Sequence, residues 1–139
     1  MYEICSEQSV LNLSFYQIYN GLRGEMGTKN SSLATAELLK KTRTVTAANL
    51  PIGHSFIPYD ILVYLFHCQS IEEATTVKSL FASLPYSDMG TRYHFNRLVA
   101  NGWIELVANE KDTRMKICRP TDKFISRFEL IAKELAQVN

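Results

Sequence analysis

Cysteine is scarce in this chain and falls in no pattern that would do chemistry. The three cysteines, Cys5, Cys68 and Cys118, are odd in number and far apart. No CxxC or Cys/His ligand spacing occurs, and His54, His67 and His94 are scattered, which argues against a disulfide framework or a zinc site. His67 and Cys68 are neighbours in an apolar helical pattern, where adjacent side chains point apart and cannot easily share an ion. No metal and no cofactor are therefore expected. Long apolar runs are missing too. The richest, Pro58–Cys68, falls well short of the roughly 18 residues that span a bilayer. The opening MYEICSEQSV has no basic stretch followed by an apolar one, so no secretory leader is expected and the cytoplasm is the expected location. Charge of one sign is also lacking: the net charge is only +1, which argues against sequence-independent coating of nucleic acid but leaves room for a local basic face. No Ser/His/Asp set or catalytic carboxylate pair is evident. The glycines of Gly21–Gly27 have no strand before them and no Lys-Ser/Thr after, so they do not make a phosphate loop. An enzyme is not expected.

What is present is material for a core. With 46% hydrophobic and 21% charged residues in 139, the chain fits one globular domain, without repeats or low-complexity segments. Leu11, Phe15, Ile18 and Leu22 form one helical stripe, ended by Gly21, Gly24 and Gly27 in a loop that runs to Asn30. Asn30, Ser31 and Ser32 are suitable caps for a helix over about 33–48, with Leu38 and Val45 inside and Lys40, Lys41 and Arg43 outside. After a loop at 50–55, Pro58 suits the first turn of a helix that is apolar almost all round, which predicts a central position. Ser70 or Glu72 is expected to open the next helix, with Val77, Leu80, Phe81 and Leu84 on one side and Pro85 ending it. Ser87 or Asp88 caps another, running to about Asn101, and Gly102 suits a left-handed terminator.

There the period changes. Residues 103–107 have strand composition, 109–112 form a turn, and 114–118 alternate polar with apolar. Pro120-Thr121 then starts a last helix, striped by Phe124, Phe128, Ile131 and Leu135. The order predicts a mainly α (α+β) fold: a winged helix-turn-helix with N- and C-terminal helices and a two-stranded wing. Residues 1–57 form an N-terminal helical arm, 58–120 the winged helix-turn-helix, and 121–139 a C-terminal helix.

The helix over 87–101 is the informative one. With Phe95 at the centre of its buried face, Thr91, Leu98 and Val99 lie within about 60° of it at 100° per residue. Gly90, Tyr93, Arg97 and Ala100 then point outward, near Met89, Asn96 and Asn101, with Arg92 and His94 on the flanks. Arginine pairs bidentately with guanine and asparagine with adenine, and small residues near the helix start allow close approach. For a lone helix the bland alternative is a solvated polar face; the preceding helix and following hairpin favour a reading head. Candidate DNA contacts are Ser87, Gly90, Arg92, Tyr93, His94, Asn96 and Arg97 on the helix. On the wing they are Lys111, Asp112, Arg114 and Lys116. Segment 87–121 has six Lys/Arg against four Asp/Glu, enough for a few phosphate contacts. Asp112, two residues before Arg114, could hold that arginine for a narrow minor groove.

At this point the chain resembles the MarR family of winged-helix transcription regulators. The family's wing carries D-x-R, five residues, then L-T-x-x-G. Here Asp112-Thr113-Arg114 is followed by five residues and then Pro120-Thr121-Asp122-Lys123-Phe124, so Pro120 and Phe124 replace the Leu and Gly. Arg97-Leu98-Val99-Ala100-Asn101-Gly102-Trp103-Ile104 is similar to the family's link from recognition helix to wing. The similarity covers about residues 58–124. It implies a homodimer joined through terminal helices, a pseudo-palindromic operator in double-stranded DNA, and often a small-molecule effector, here unknown. It makes Arg114 the minor-groove arginine and Asp112 its orienting partner. The stripes Leu11, Phe15, Ile18, Leu22 and Phe124, Phe128, Ile131, Leu135 are the candidate dimer contacts, though each also fits packing within its own chain. Cys5, near the N-terminus, is similar to the peroxide-sensing branch of the family, but a cysteine without an activating partner is more often inert. The competing reading is a winged-helix module that binds protein rather than DNA, favoured by the near-neutral charge and by Glu105, Glu110 and Asp112 around the wing.

Overall fold

A computed structural model describes residues 28–137, with side chains from residue 31 onward. The stripe Leu11, Phe15, Ile18, Leu22 and the cysteine Cys5 lie outside the described residues. The chain divides into two compact units, residues 1–41 and 42–139.

Helix α1 spans Thr28–Asn49. It begins before the expected caps, so Thr28–Asn30 are helical rather than loop. Within residues 42–49 it buries Val45, Thr46 and Asn49. The two polar side chains satisfy themselves on the preceding turn: Thr46 Oγ1 donates to Thr42 O at 2.7 Å and Asn49 Nδ2 to Val45 O at 2.9 Å. Burial therefore leaves no polar atom unpaired, which would otherwise cost on the order of 1–3 kcal/mol.

Helix α2 (Phe56–Ser70) is the centre of the second unit, as its composition predicts. Ser55 caps it, its hydroxyl accepting from Ile57 N, and Pro58 sits in the first turn, where a missing N–H breaks no helical bond. Ile61, Leu62 and Leu65 are at most 1% exposed.

The next segment departs from expectation. Ser70 still belongs to α2, and Glu72, with φ +58°, lies in the turn after it, so neither opens a helix. Instead Thr75–Thr76 form a short strand, β1. Thr76 then caps α3 (Val77–Ser83) through a capping box: its hydroxyl accepts from Ser79 N, and the Ser79 hydroxyl accepts from Thr76 N.

Helix α4 covers Asp88–Ala100, β2 Ile104–Ala108, β3 Lys116–Pro120 and α5 Asp122–Ala136. The sheet is antiparallel in the order β1-β3-β2: β2 and β3 make the expected two-stranded hairpin, and β1 adds a third strand along β3. Cys118 sits between Thr75 and Leu106. β3 starts two residues later than its alternation suggests. The backbone of 112–115 is held in the turn, so Met115 stays exposed, and the buried strand residues are Cys118 and Pro120. Pro120 closes β3, and Thr121 is the cap of α5.

The apolar stripe of α5 turns into the chain's own core. Phe124 is 0% and Ile131 6% exposed, and Phe128 and Leu135 pack against the same cluster. Phe128 stacks on Phe66 at 4.3 Å, and Phe124 meets Phe66 edge-on at 5.9 Å. Such aromatic pairs add to the burial term. Phe124 and Ile131 are thus buried in the chain's own core, Phe128 and Leu135 are only partly buried beside them, and Leu130 is exposed.

Candidate nucleic-acid interface

Three anchors fix α4. At its start the Ser87 hydroxyl accepts from Gly90 N at 3.2 Å, which satisfies one of the otherwise unpaired first-turn donors. Position 90 is closely packed: a Cβ there would lie 3.2 Å from Ser87 Oγ and 3.4 Å from Ile57 Cδ1. Just upstream, the Tyr86 hydroxyl donates to Asp60 Oδ2 on α2. That hydrogen bond, then burial and the Asp60 charge, raises the Tyr86 phenol above its ordinary value. Along the middle, Thr91, Phe95 and Leu98 are buried, and Phe95 meets Phe81 of α3 edge-on at 5.4 Å. At the far end Asn101 is the C-cap and Gly102 takes φ +74°. Lys123 Nζ donates to Asn101 O at 3.2 Å and lies 4.4 Å from the Trp103 ring centroid. Position, tilt and rotation of the helix are all set from inside.

The opposite face is free. Met89 is 83% and Tyr93 58% exposed, and Asn96, Arg97, Ala100 and Asn101 are exposed beside them. Arg97 is ordered by its own helix: its Nη1 donates to the Tyr93 hydroxyl at 3.2 Å, and its guanidinium lies 5.7 Å from the Tyr93 ring centroid. An exposed contact of this kind adds little stability, but it restricts the arginine to fewer rotamers. Arg92 is differently engaged, paired to Asp88 at 3.1 Å and held 5.3 Å over Phe81. His94 is half-buried, edge-on to Tyr93, and faces a cleft shared with Arg97, Asn101 and the loop at Pro51–His54.

The wing is ordered through its backbone. The Asn109 side chain accepts from Lys111 N and the Asp112 side chain from Arg114 N, each at 3.0 Å. The Asp112 carbonyl accepts from Met115 N at 3.0 Å, and Met115 O from Asn109 N at 3.1 Å. The expectation that Asp112 holds the Arg114 guanidinium is therefore corrected. Asp112 fixes the backbone of Arg114 in an Asx-type turn, and no hydrogen bond or ion pair engages that guanidinium among the described residues. Lys111, Arg114 and Lys116 are exposed, and Arg119, which the sequence reading omits, is exposed opposite Glu105. Met89, highly exposed beside Tyr93 on the outward face, is not among the contacts expected from the sequence. Among the described residues no cluster of His, Cys, Asp and Glu could hold a metal ion, and Cys68 and Cys118 are buried and unpaired.

No family model and no curated protein matches the sequence. Solved structures do match. A MepR mutant from a multidrug resistant S. aureus clinical isolate aligns with a TM-score of 0.61 at 16% identity, covering 82% of this chain and 79% of that one. The fold is a MarR-like winged helix. The transcriptional regulator Tm0710 from Thermotoga maritima aligns at 0.59 and 16% identity, over 78% of this chain and 71% of its own. Reduced AbfR bound to DNA aligns at 0.50 and 18% identity, over 96% and 84%. In the winged helix described here, α3 and α4 are the helix-turn-helix, and β2 and β3 with their turn are the wing. No helix among the described residues is long and apolar enough to cross a membrane.

Proposed function

We propose that this chain is a sequence-specific, double-stranded DNA-binding transcriptional regulator that acts as a homodimer, with α4 in the major groove and the wing at the minor groove. One observation carries the reading. Tyr93, Asn96 and Arg97 are exposed on one face of a helix whose other face is locked by Thr91, Phe95 and Leu98, and the helix-turn-helix that contains them is followed by a wing with exposed Lys111 and Arg114 in its turn and exposed Lys116 at the start of β3. An ordered Arg97 suits bidentate contact with guanine. An unpaired Arg114 on a rigid turn suits a narrow, electronegative minor groove. The DNA-bound state of the similar AbfR supports the same reading. The partners are operator DNA and a second copy of the chain. The protomer contact would draw on the stripe Leu11, Phe15, Ile18 and Leu22 and on the exposed Leu33 and Leu39 of α1. The wing's Glu105, Glu110 and Asp112 favour the second reading, a protein-binding adaptor.

Selection of bound duplexes from a random pool tests both. A palindrome with half-sites about one helical turn apart would support a dimeric DNA reader. Failure to bind even random duplex at low salt and micromolar protein would favour the adaptor.

A further inference from the structure

The first turn of α4 enters a groove first in a helix-turn-helix, and its side chains can be assigned one by one. Ser87 is occupied as the cap, its hydroxyl accepting from Gly90 N. Asp88 is paired with Arg92 at 3.1 Å. Gly90 has no side chain, and Thr91 is 1% exposed with its hydroxyl donating to Ser87 O. Met89 alone in this turn is long and uncommitted. At 83% it is the most exposed large hydrophobic side chain among the described residues, and it lies about 40° from Tyr93 on the outward face.

The chemistry of the side chain limits what it can read. A thioether has no hydrogen to donate and accepts only weakly. It therefore cannot distinguish the donor and acceptor patterns of base edges. The major groove offers one apolar feature, the C5 methyl of thymine. A flexible, polarisable methionine is well suited to pack on it.

We propose that Met89 is a specificity-determining residue that reads the C5 methyl of a thymine in each half-site. This rests on the DNA-binding reading given above and adds one base identity to it. Burying a single methyl group changes affinity about fourfold.

The test uses the full chain and its selected site. Each thymine is replaced in turn by uracil, which removes only the methyl group, and affinity is measured at fixed salt. Wild type is expected to lose about three- to fivefold at one position per half-site. Met89→Ala is expected to bind the thymine and uracil duplexes equally at that position, and Met89→Leu to keep the preference. Unchanged circular dichroism and melting temperature are expected for both variants, because the side chain is exposed. A wild-type protein indifferent to every uracil overturns the assignment, as does a preference that survives in Met89→Ala. In both cases binding itself persists, so the broader reading stands. Absence of binding to any duplex, including random sequence at low salt, overturns both.

Discussion

Helix α4 and the wing present their cations in opposite ways. On α4 the side chains are ordered: Arg97 by Tyr93, Arg92 by Asp88 and Phe81. On the wing the backbone is ordered, by the side chains of Asn109 and Asp112, while Lys111 and Arg114 extend from it without ion-pair partners among the described residues. A pre-ordered guanidinium loses little entropy on making a directional bond, so it can discriminate between bases. A mobile cation on a rigid stem follows electrostatic potential and adds affinity that salt removes. On the proposed reading, the same residue type would supply specificity in one place and charge in the other.

The substitution expected to abolish this contrast altogether acts beneath both elements. Phe124 packs against Trp103, Phe66 and Phe128 and is 0% exposed. Phe124→Ala should cost about 3–5 kcal/mol in urea unfolding and weaken both functions together. Alkali should act next, and through the wing. Burial pushes the Cys118 thiol up from 9.0 to about 12, because the folded chain disfavours the thiolate. The stability linked to that thiol is intact below about pH 9 and is lost as pH rises toward 12. Unfolding midpoints measured over that range should fall less steeply for Cys118→Ala than for wild type.

Third, Arg97→Ala should lose about 1–3 kcal/mol on the selected site and become tolerant at one base pair. Equal losses on selected and scrambled duplexes would mean that α4 does not discriminate through this residue. Arg114→Ala should do the reverse: a weaker, uniform loss across sequences, with the salt slope reduced by about one. The smallest effect is the sharpest. Asp112→Asn keeps the side-chain oxygen that accepts from Arg114 N but removes its charge. Binding as tight as wild type, or slightly tighter, is expected; a marked loss would restore a charge-based role for Asp112 toward the guanidinium.

The parts of the fold written in local periodicity were legible in the sequence. The inward residues Thr91, Phe95 and Leu98, the Ser87 cap and the left-handed Gly102 follow from spacing and backbone preference alone. Strand β1 does not, because two threonines have no period and their partners, Ile117 and Cys118, lie more than forty residues away. The start of α3 was hidden for a related reason: Thr76 and Ser79 form the capping box with a serine where glutamate or glutamine is usual. The contact that Asp112 makes is not legible either, because spacing brings it to Arg114 but cannot say whether it meets side chain or backbone. The α5 stripe fitted either its own core or a second copy, and only tertiary packing could decide where Phe124 points.

The anchoring of α4 has one more consequence. The residues that pack the helix inward, Thr91, Phe95 and Leu98, and the outward residues proposed to read bases, Met89, Tyr93, Asn96 and Arg97, do not overlap, and only the first turn, with Ser87 and Gly90, is a candidate for both roles. Exposed substitutions away from such anchors usually change stability by less than about 0.5 kcal/mol. The reading face can therefore be rewritten without renegotiating the fold. A library randomised at those four outward positions should return many folded proteins with different targets, so this helix is a natural place to reprogram the molecule.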